Sequence, residues 1–319
     1  MNPYFFVHVP KTAGTSFRLG LEQAVGKERV FYDYGAKSPH TSGQVSELIY
    51  QDADFWHFFQ SIQSDESPVV IAGHVPVLRF VAGCGVANTM LFLRHPLQRL
   101  MSEYQHFVRN NGYEKPFKVF YEGAHNQNRQ SKMLHGAPLE AIGLLGITER
   151  YGETLEILRS RFGLEIPVRE DNQGRNGLGE RHVFEGRDES RCRYLNAHDL
   201  ELYDYALALF DQRRELFMAG KPYVHGKLVR ADEQRIAGWA WWGDDSHVPV
   251  KVQILINGQV ERELSATEFR SELCRLTPPR GGYVGFSMKS SAVLGDRVQC
   301  RVVDTGQCFP IVPMIVEAQ

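Results

Sequence analysis

The chain has 319 residues, of which 43% are hydrophobic and 23% charged. This composition is typical of globular proteins and excludes a disordered or fibrous chain. Lys and Arg together number 36 and Asp and Glu 38, so the formal charge is −2, which disfavours nucleic-acid binding through a uniformly basic surface. The length allows one large domain or two ordinary ones.

Cysteine usage and apolar runs indicate the compartment. The five cysteines are scattered and include no C-x-x-C spacing, which disfavours a disulfide scaffold and favours a reducing environment. The sequence contains no run of eighteen apolar residues, so no membrane-spanning helix is predicted. The N-terminus lacks the pattern of a secretion signal. We therefore expect a cytoplasmic protein without a membrane span.

The first two thirds of the chain alternate buried strands with helices. Apolar and β-branched runs predict strands at 4–9, 69–72 and 89–93. Helical spacing of apolar residues predicts helices at 17–25, 45–62, 96–110, 148–162 and 199–217. Such alternation predicts an α/β fold with a parallel sheet.

The pattern changes near Gly220, where short alternating runs replace helical spacing. Strands are predicted at 250–256 and 297–304, and Asn257-Gly258 is a hairpin signal. These features predict a small all-β sandwich, with domains at 1–222 and 223–319. Three tryptophans at 239, 241 and 242 can stack on sugar rings or fill the sandwich core; strand alternation favours the core.

The loop after the first strand carries the chemistry of an anion site. Residues 11–16 read Lys-Thr-Ala-Gly-Thr-Ser and lie between a predicted strand and a predicted helix. This position is the carboxyl edge of a parallel sheet, where backbone N–H groups and a helix N-terminus attract anions. Lys11 adds charge, and Gly14 permits close backbone approach. The order of residues is not that of a Walker loop. The alternative is a polar turn capped by Thr15 or Ser16.

A second candidate anion site follows the strand at 89–93. Arg94 ends that strand, and Ser102 lies eight residues further on, inside the next predicted helix. A strand-end arginine can bind a phosphate through two parallel hydrogen bonds, and a hydroxyl can add a third. In the alternative interpretation, Arg94 forms a salt bridge and Ser102 only occupies the helix.

Together these segments resemble a known family. Residues 6–16 resemble the 5′-phosphosulfate loop of sulfotransferases of the heparan-sulfate 2-O type, and residues 93–104 resemble their 3′-phosphate motif. Weaker similarity lies at 128–134, 146–151 and 199–203. The resemblance implies a P-loop-like sheet, 3′-phosphoadenosine 5′-phosphosulfate (PAPS) as donor, and no metal. It also implies a hydroxyl acceptor, with a saccharide or glycoconjugate favoured by analogy.

The resemblance also implies roles for individual residues. Lys11 would stabilise charge on the departing nucleotide, while Arg94 and Ser102 would hold the 3′-phosphate and so select PAPS. The 5′-phosphate would be held by the loop residues Thr12, Ala13, Gly14, Thr15 and Ser16. Sulfuryl transfer depends mostly on alignment and charge stabilisation, which these groups supply.

His74 matches the position of the catalytic histidine in those relatives, and an imidazole suits a general base near neutral pH. The relatives carry a second histidine two residues earlier, where this chain has Ala72. A turn histidine with a structural hydrogen bond, or a carboxylate base elsewhere, remains the alternative. His8 is interpreted as structural.

Two other functions stay open at this point. One is a non-catalytic protein that binds a nucleotide and a glycan, which the substitution at Ala72 keeps in view. The other is a different P-loop group transferase, such as a nucleotide kinase. The region after residue 222 resembles a β-module found beside bacterial glycosyltransferases, and it is a candidate for acceptor binding or oligomer formation.

Overall fold

The computed structural model describes residues 2–63, 67–167, 184, 186–244 and 246–317. The chain divides into two compact units. Unit 1 comprises Met1–Cys84, Asn88–Ala137 and Leu144–Leu207, and unit 2 comprises Gly85–Ala87, Pro138–Gly143 and Ala208–Gln319. The division falls inside a helix, ahead of the change in sequence pattern near Gly220.

Unit 1 contains a five-stranded parallel sheet. Its strands are β1 (Tyr4–Val7), β2 (Val30–Asp33), β3 (Val70–Gly73), β4 (Thr89–Leu93) and β5 (Leu144–Ile147). They lie in the order β2-β3-β1-β4-β5, and every neighbouring pair is parallel. Strands β3, β4 and β5 are buried throughout, as expected for a parallel sheet flanked by helices. The predicted α/β fold class is confirmed at this level.

The helices largely follow the apolar spacing of the sequence. They are α1 (Gly14–Val25), α2 (Phe55–Ile62), α3 (Val81–Cys84), α4 (Pro96–Asn111), α5 (Phe117–Glu122), α6 (Arg129–Leu134), α7 (Tyr151–Phe162), α8 (Gly186–Leu195) and α9 (Ala197–Met218). Helix α7 ends at Gly163, whose φ of 63° only glycine adopts without strain. None of the helices in the described parts of the chain is long and apolar enough to cross a membrane.

The helix expected at 45–62 is interrupted. A π-helical segment covers Val45–Gln51, and α2 starts afresh at Phe55. Ala53 has a φ of 55°, which breaks the helix, and the Asp54 carboxylate accepts a hydrogen bond from the His57 N–H as the cap of α2. The apolar spacing is continuous across this break, so it did not reveal the second helix start.

Unit 2 contains two antiparallel sheets. Its strands are β6 (Val224–Ala231), β7 (Arg235–Trp242), β8 (Lys251–Ile256), β9 (Gln259–Ser265), β10 (Glu268–Phe269), β11 (Tyr283–Lys289), β12 (Arg297–Val302) and β13 (Cys308–Ile315). One sheet has the order β10-β11-β7-β6 and the other β13-β12-β8-β9. The β8–β9 hairpin turns at Asn257 and Gly258, both with positive φ, as the sequence predicts.

The two sheets share one hydrophobic core. Ile236, Ala240 and Phe286 from one sheet and Val252 and Ile254 from the other belong to the same buried cluster. This arrangement agrees with the expected sandwich.

Trp239 and Trp241 alternate with the core residues of β7 and are nevertheless buried, at 1% and 2% exposure. Their rings stack with centroids 4.6 Å apart, and the buried His225 ring stacks on Trp241 at 5.6 Å. Both rings are thus buried on the outer face of β7, outside the cluster that the two sheets share, and neither presents a face to a sugar; Trp242 is the tryptophan that packs against that cluster.

Candidate functional site

The connection from β1 to α1 has the backbone of an anion-binding loop. Lys11 and Ala13 both lie in the left-handed region, with φ of 67° and 65°. Each such residue costs roughly 1–3 kcal/mol, a cost typical of functional loops. Left-handed residues within a turn orient neighbouring N–H groups into a concave anion site. Helix α1 begins directly behind this loop, so its N-terminal N–H groups face the same space.

The hydroxyls of this loop take three different positions. Thr12 is buried, and its hydroxyl donates to the Val9 carbonyl over 2.9 Å, so this hydroxyl is already engaged within the loop. Thr15 is exposed and Ser16 half-buried in the first turn of α1. The N-cap of α1 is Ala13, which offers no side-chain hydrogen bond. The alternative of a turn capped by Thr15 or Ser16 is therefore wrong.

Arg94 lies against this loop. Its guanidinium Nη1 donates to the Lys11 carbonyl over 3.3 Å, so the two predicted anion-binding segments meet. They meet because β1 and β4 are parallel neighbours, which brings their carboxyl ends to one edge of the sheet. Within the described residues Arg94 makes this contact and not the salt bridge considered as its alternative.

The side chain of Gln130 holds the Arg94 backbone at two points. Its Oε1 accepts from the Arg94 N–H, and its Nε2 donates to the Arg94 carbonyl, each over 2.9 Å. The Gln130 N–H and the Ser131 N–H in turn donate to the Asp199 carboxylate, over 3.0 and 2.7 Å. Residues 128–134 and 199–203, two of the segments with weaker similarity to the sulfotransferase family, are thus joined by hydrogen bonds. Together they position Arg94.

The third segment with weaker similarity, residues 146–151, contains Glu149, which contacts the backbone of His95. The Glu149 carboxylate accepts from the His95 N–H over 3.0 Å and from the Tyr203 hydroxyl over 2.9 Å. Burial raises the pKa of Tyr203, and the charge of Glu149 and the hydrogen bond to it raise it further. These partners are far apart in sequence, so only the folded chain reveals that the segments act together.

The pocket is positively charged. Burial lowers the pKa of Lys11, and the nearby positive charges of Arg94 and Arg109 lower it further, while Glu103 raises it. An anion bound between Lys11 and Arg94 would relieve this repulsion. Ser102 is half-buried on α4, and no hydrogen bond joins its hydroxyl to Arg94 in the part of the chain that the structure describes.

His74 follows β3 and lies beside the end of β1. Its Nδ1 is 2.6 Å from the His8 carbonyl oxygen. A carbonyl only accepts, so Nδ1 carries the hydrogen and neutral His74 has its lone pair on Nε2. Within the described residues Nε2 has no hydrogen-bond partner, and the side chain is exposed. Partial removal from water lowers the pKa of His74 below its ordinary value, the bond to His8 opposes this, and the charge of Arg129 adds to it.

The His8 ring packs beside His74, with centroids 4.3 Å apart. Its Nδ1 is 3.0 Å from the Tyr34 hydroxyl, and the Tyr34 ring contacts His74 edge-on at 4.8 Å. Burial, followed by the charge of His74, lowers the pKa of His8 well below its ordinary value, so this ring is neutral. A second imidazole therefore lies next to His74 although position 72 is alanine. The sequence did not reveal it because His8 and His74 meet only through strand register.

The structure gives a reason for glycine at position 14 that differs from the expected close approach of the backbone to an anion. A Cβ at this position would lie 2.0 Å from Cδ2 of the His8 ring, so the glycine makes room for that ring. The loop, His8 and His74 are therefore packed as one assembly.

Replacing Gly14 by alanine is expected to destabilise the protein by about 1–3 kcal/mol, because the added methyl overpacks against His8. Denaturant unfolding measures this cost, and in a His8→Ala background it should largely disappear. Gly152→Ala on the exposed face of α7, where a Cβ meets open space, serves as the control. Equal costs of Gly14→Ala with and without the His8 ring would contradict this role of the glycine.

Comparisons with protein-family models, with curated proteins and with solved structures gave no match. The function that the resemblance of residues 6–16 and 93–104 implies therefore remains a prediction.

Proposed function

We propose that the chain is a PAPS-dependent O-sulfotransferase that moves a sulfuryl group to the hydroxyl of a saccharide or glycoconjugate. The observation that carries this proposal is the contact between the Arg94 guanidinium and the Lys11 carbonyl. It supports one nucleotide spanning both segments, with its 5′-phosphosulfate at the loop and its 3′-phosphate at Arg94. The five-stranded sheet then serves as a P-loop-like nucleotide scaffold.

Donor binding would rest on charge and backbone hydrogen bonds. The N–H groups of residues 12–16 would hold the 5′-phosphate, and Lys11 would lie at the oxygen that bridges phosphate and sulfate. As the S–O bond to that oxygen breaks, negative charge grows on the departing nucleotide, and the ammonium group stabilises it. Arg94, with Ser102, would hold the 3′-phosphate. This scheme uses no metal.

Acceptor activation would rest on His74. The hydrogen bond to His8 fixes the neutral ring with its lone pair on the exposed Nε2, which is the form that a general base requires. Nε2 would take the proton of the acceptor hydroxyl as its oxygen attacks sulfur. The His8 ring packs beside His74 although position 72 is alanine, and this contact supports the enzyme over a non-catalytic binding protein. We place the reaction in the cytoplasm.

The decisive experiment is calorimetry with adenosine 3′,5′-bisphosphate, the spent donor, and with adenosine 5′-monophosphate. Hydrogen bonds to charged groups contribute about 1.5–3 kcal/mol, so the bisphosphate should bind more than tenfold more tightly. Similar affinities for both nucleotides would favour another P-loop transferase, and binding of neither would refute the proposal. Acceptors are then screened with labelled PAPS.

Replacing Arg94 by alanine is expected to weaken adenosine 3′,5′-bisphosphate binding roughly 10–100-fold, since a charge-assisted contact with phosphate is lost. Binding of adenosine 5′-monophosphate, which lacks the 3′-phosphate, should change far less. Calorimetry measures both, with Arg159→Ala, which removes an exposed arginine paired with Glu165, as the control. Equal losses for the two nucleotides would assign Arg94 to support of the loop alone.

A further inference from the structure

Unit 2 exposes a pair of aromatic rings away from its core. Phe269 on β10 and Tyr283 on β11 are 50% and 57% exposed, and their ring centroids are 5.2 Å apart at 45°. They are cross-strand partners. Among the exposed aromatic side chains of the described residues, only these two contact each other. Val284, Phe286 and Met288 are buried on alternate positions of β11, so Tyr283 faces away from the core.

Charged and polar groups continue from the rings along the same face. Arg270 lies across Gly285, where a Cβ would be 2.2 Å from its Nε. Its guanidinium is 3.7 Å from the Glu268 carboxylate. The Ser287 hydroxyl donates to Glu268 over 2.9 Å and accepts from Arg235 over 2.8 Å. The Arg270 side chain is only 12% exposed and donates to the Phe286 carbonyl over 2.5 Å, so it supports the strip from below. The strip therefore presents rings at one end and a carboxylate, a hydroxyl and the Arg235 guanidinium at the other.

We propose that this strip, from Phe269 and Tyr283 to Ser287, is a binding site for an oligosaccharide. The C–H face of a sugar ring packs on aromatic rings, and its hydroxyls both donate and accept. Carboxylate, hydroxyl and guanidinium groups already oriented by one another match such hydroxyls at little ordering cost. Tyr283 and Ser287 are four residues apart on one strand, or about 13 Å, which is long enough for a disaccharide.

The same features disfavour a protein partner. Strand β10 has only two residues and a bulge between them, so this sheet edge offers little backbone for an added strand. A stable protein interface buries about 800 Å² on each partner. Two half-exposed rings cover much less than this, and the charges beside them are of both signs.

The test applies the full-length protein to an array of neutral and acidic oligosaccharides, followed by titration of the best-bound one. Tyr283→Ala and Phe269→Ala are each expected to weaken that affinity at least tenfold. Ser287→Ala should weaken it to a smaller extent. The matched control is Tyr194→Ala, which removes an exposed tyrosine from unit 1 and should leave the affinity unchanged. Unfolding midpoints near that of the unsubstituted protein establish that each variant is folded.

Binding to no oligosaccharide, or binding that survives both ring substitutions, would overturn the proposal. So would concentration-dependent self-association that Tyr283→Ala abolishes, because the strip would then be an interface between copies. The site does not depend on the donor chemistry, and Lys11→Ala should retain oligosaccharide binding. Failure of this proposal is thus distinguishable from failure of the proposed sulfuryl transfer.

Discussion

Replacing Lys11 by alanine is expected to lower the rate of sulfuryl transfer roughly 10²–10³-fold, the usual loss when one group that stabilises developing charge is removed. The lysine lies in a pocket where burial and the charge of Arg94 lower its pKa, so its positive charge is held close to another at the cost of repulsion. An anion bound between them is attracted to both charges, and this attraction offsets their repulsion. The gain grows as the nucleotide departs, so the loss should fall mainly on kcat.

The measurement is the release of adenosine 3′,5′-bisphosphate from PAPS in the presence of an acceptor found by screening. Lys37→Ala, on the exposed loop after β2, provides a matched removal of one lysine. Alanine keeps the Cβ that Lys11 already has in the left-handed region, so the backbone strain is the same in both proteins. Near-normal turnover in Lys11→Ala would remove Lys11 from the reaction.

Replacing His74 by alanine is expected to lower transfer roughly 10²–10⁴-fold, as for loss of a general base. The affinity for adenosine 3′,5′-bisphosphate should stay unchanged, since the proposed role of His74 is toward the acceptor and not the nucleotide. The pH profile carries further information. Only the deprotonated ring accepts a proton, and its pKa is lowered, so kcat/KM should rise with pH and the midpoint of that rise should lie below 6.5, the pKa of an ordinary histidine.

A matched control is His57→Ala, which removes an exposed histidine from the first turn of α2. Transfer that persists in His74→Ala with the same acidic limb would place the base on another residue. If His74→Ala removes both the activity and the rise of kcat/KM with pH, the assignment of the base to His74 is supported.

The sequence predicted most of what depends on local pattern. The strands ending before Lys11, His74 and Arg94 follow from apolar runs with abrupt polar ends, and parallel pairing brings such ends to one edge. Strands β2 and β5 were not predicted, although β1 and β3, which are equally short, were. The β2 sequence ends in Tyr32 and Asp33, and β5 contains Gly146, so neither segment is a purely apolar, β-branched run. The interruption at Ala53 escaped because one left-handed residue decides it.

The parts of the site that were missed depend on register and on distant partners. The His8 ring reaches His74 only because β1 and β3 pair with Val7 opposite Gly73. The Gln130 side chain binds the Arg94 backbone from 36 residues away in the sequence, and no local pattern predicts these hydrogen bonds. For the same reason, alternation alone could not reveal what buries the outer face of β7 at Trp239 and Trp241.

The hydrogen bonds between the Gln130 side chain and the Arg94 backbone have a consequence for folding during synthesis of the chain. A nascent polypeptide that has emerged as far as residue 190 already contains Lys11, Arg94 and Gln130. It still lacks the Asp199 carboxylate that receives the Gln130 N–H. Contacts between such distant segments form late, after the entropy of closing the intervening chain has been overcome. The hydrogen bond from Gln130 to Asp199, and with it this support of Arg94, therefore forms only after the first turn of α9 has left the ribosome.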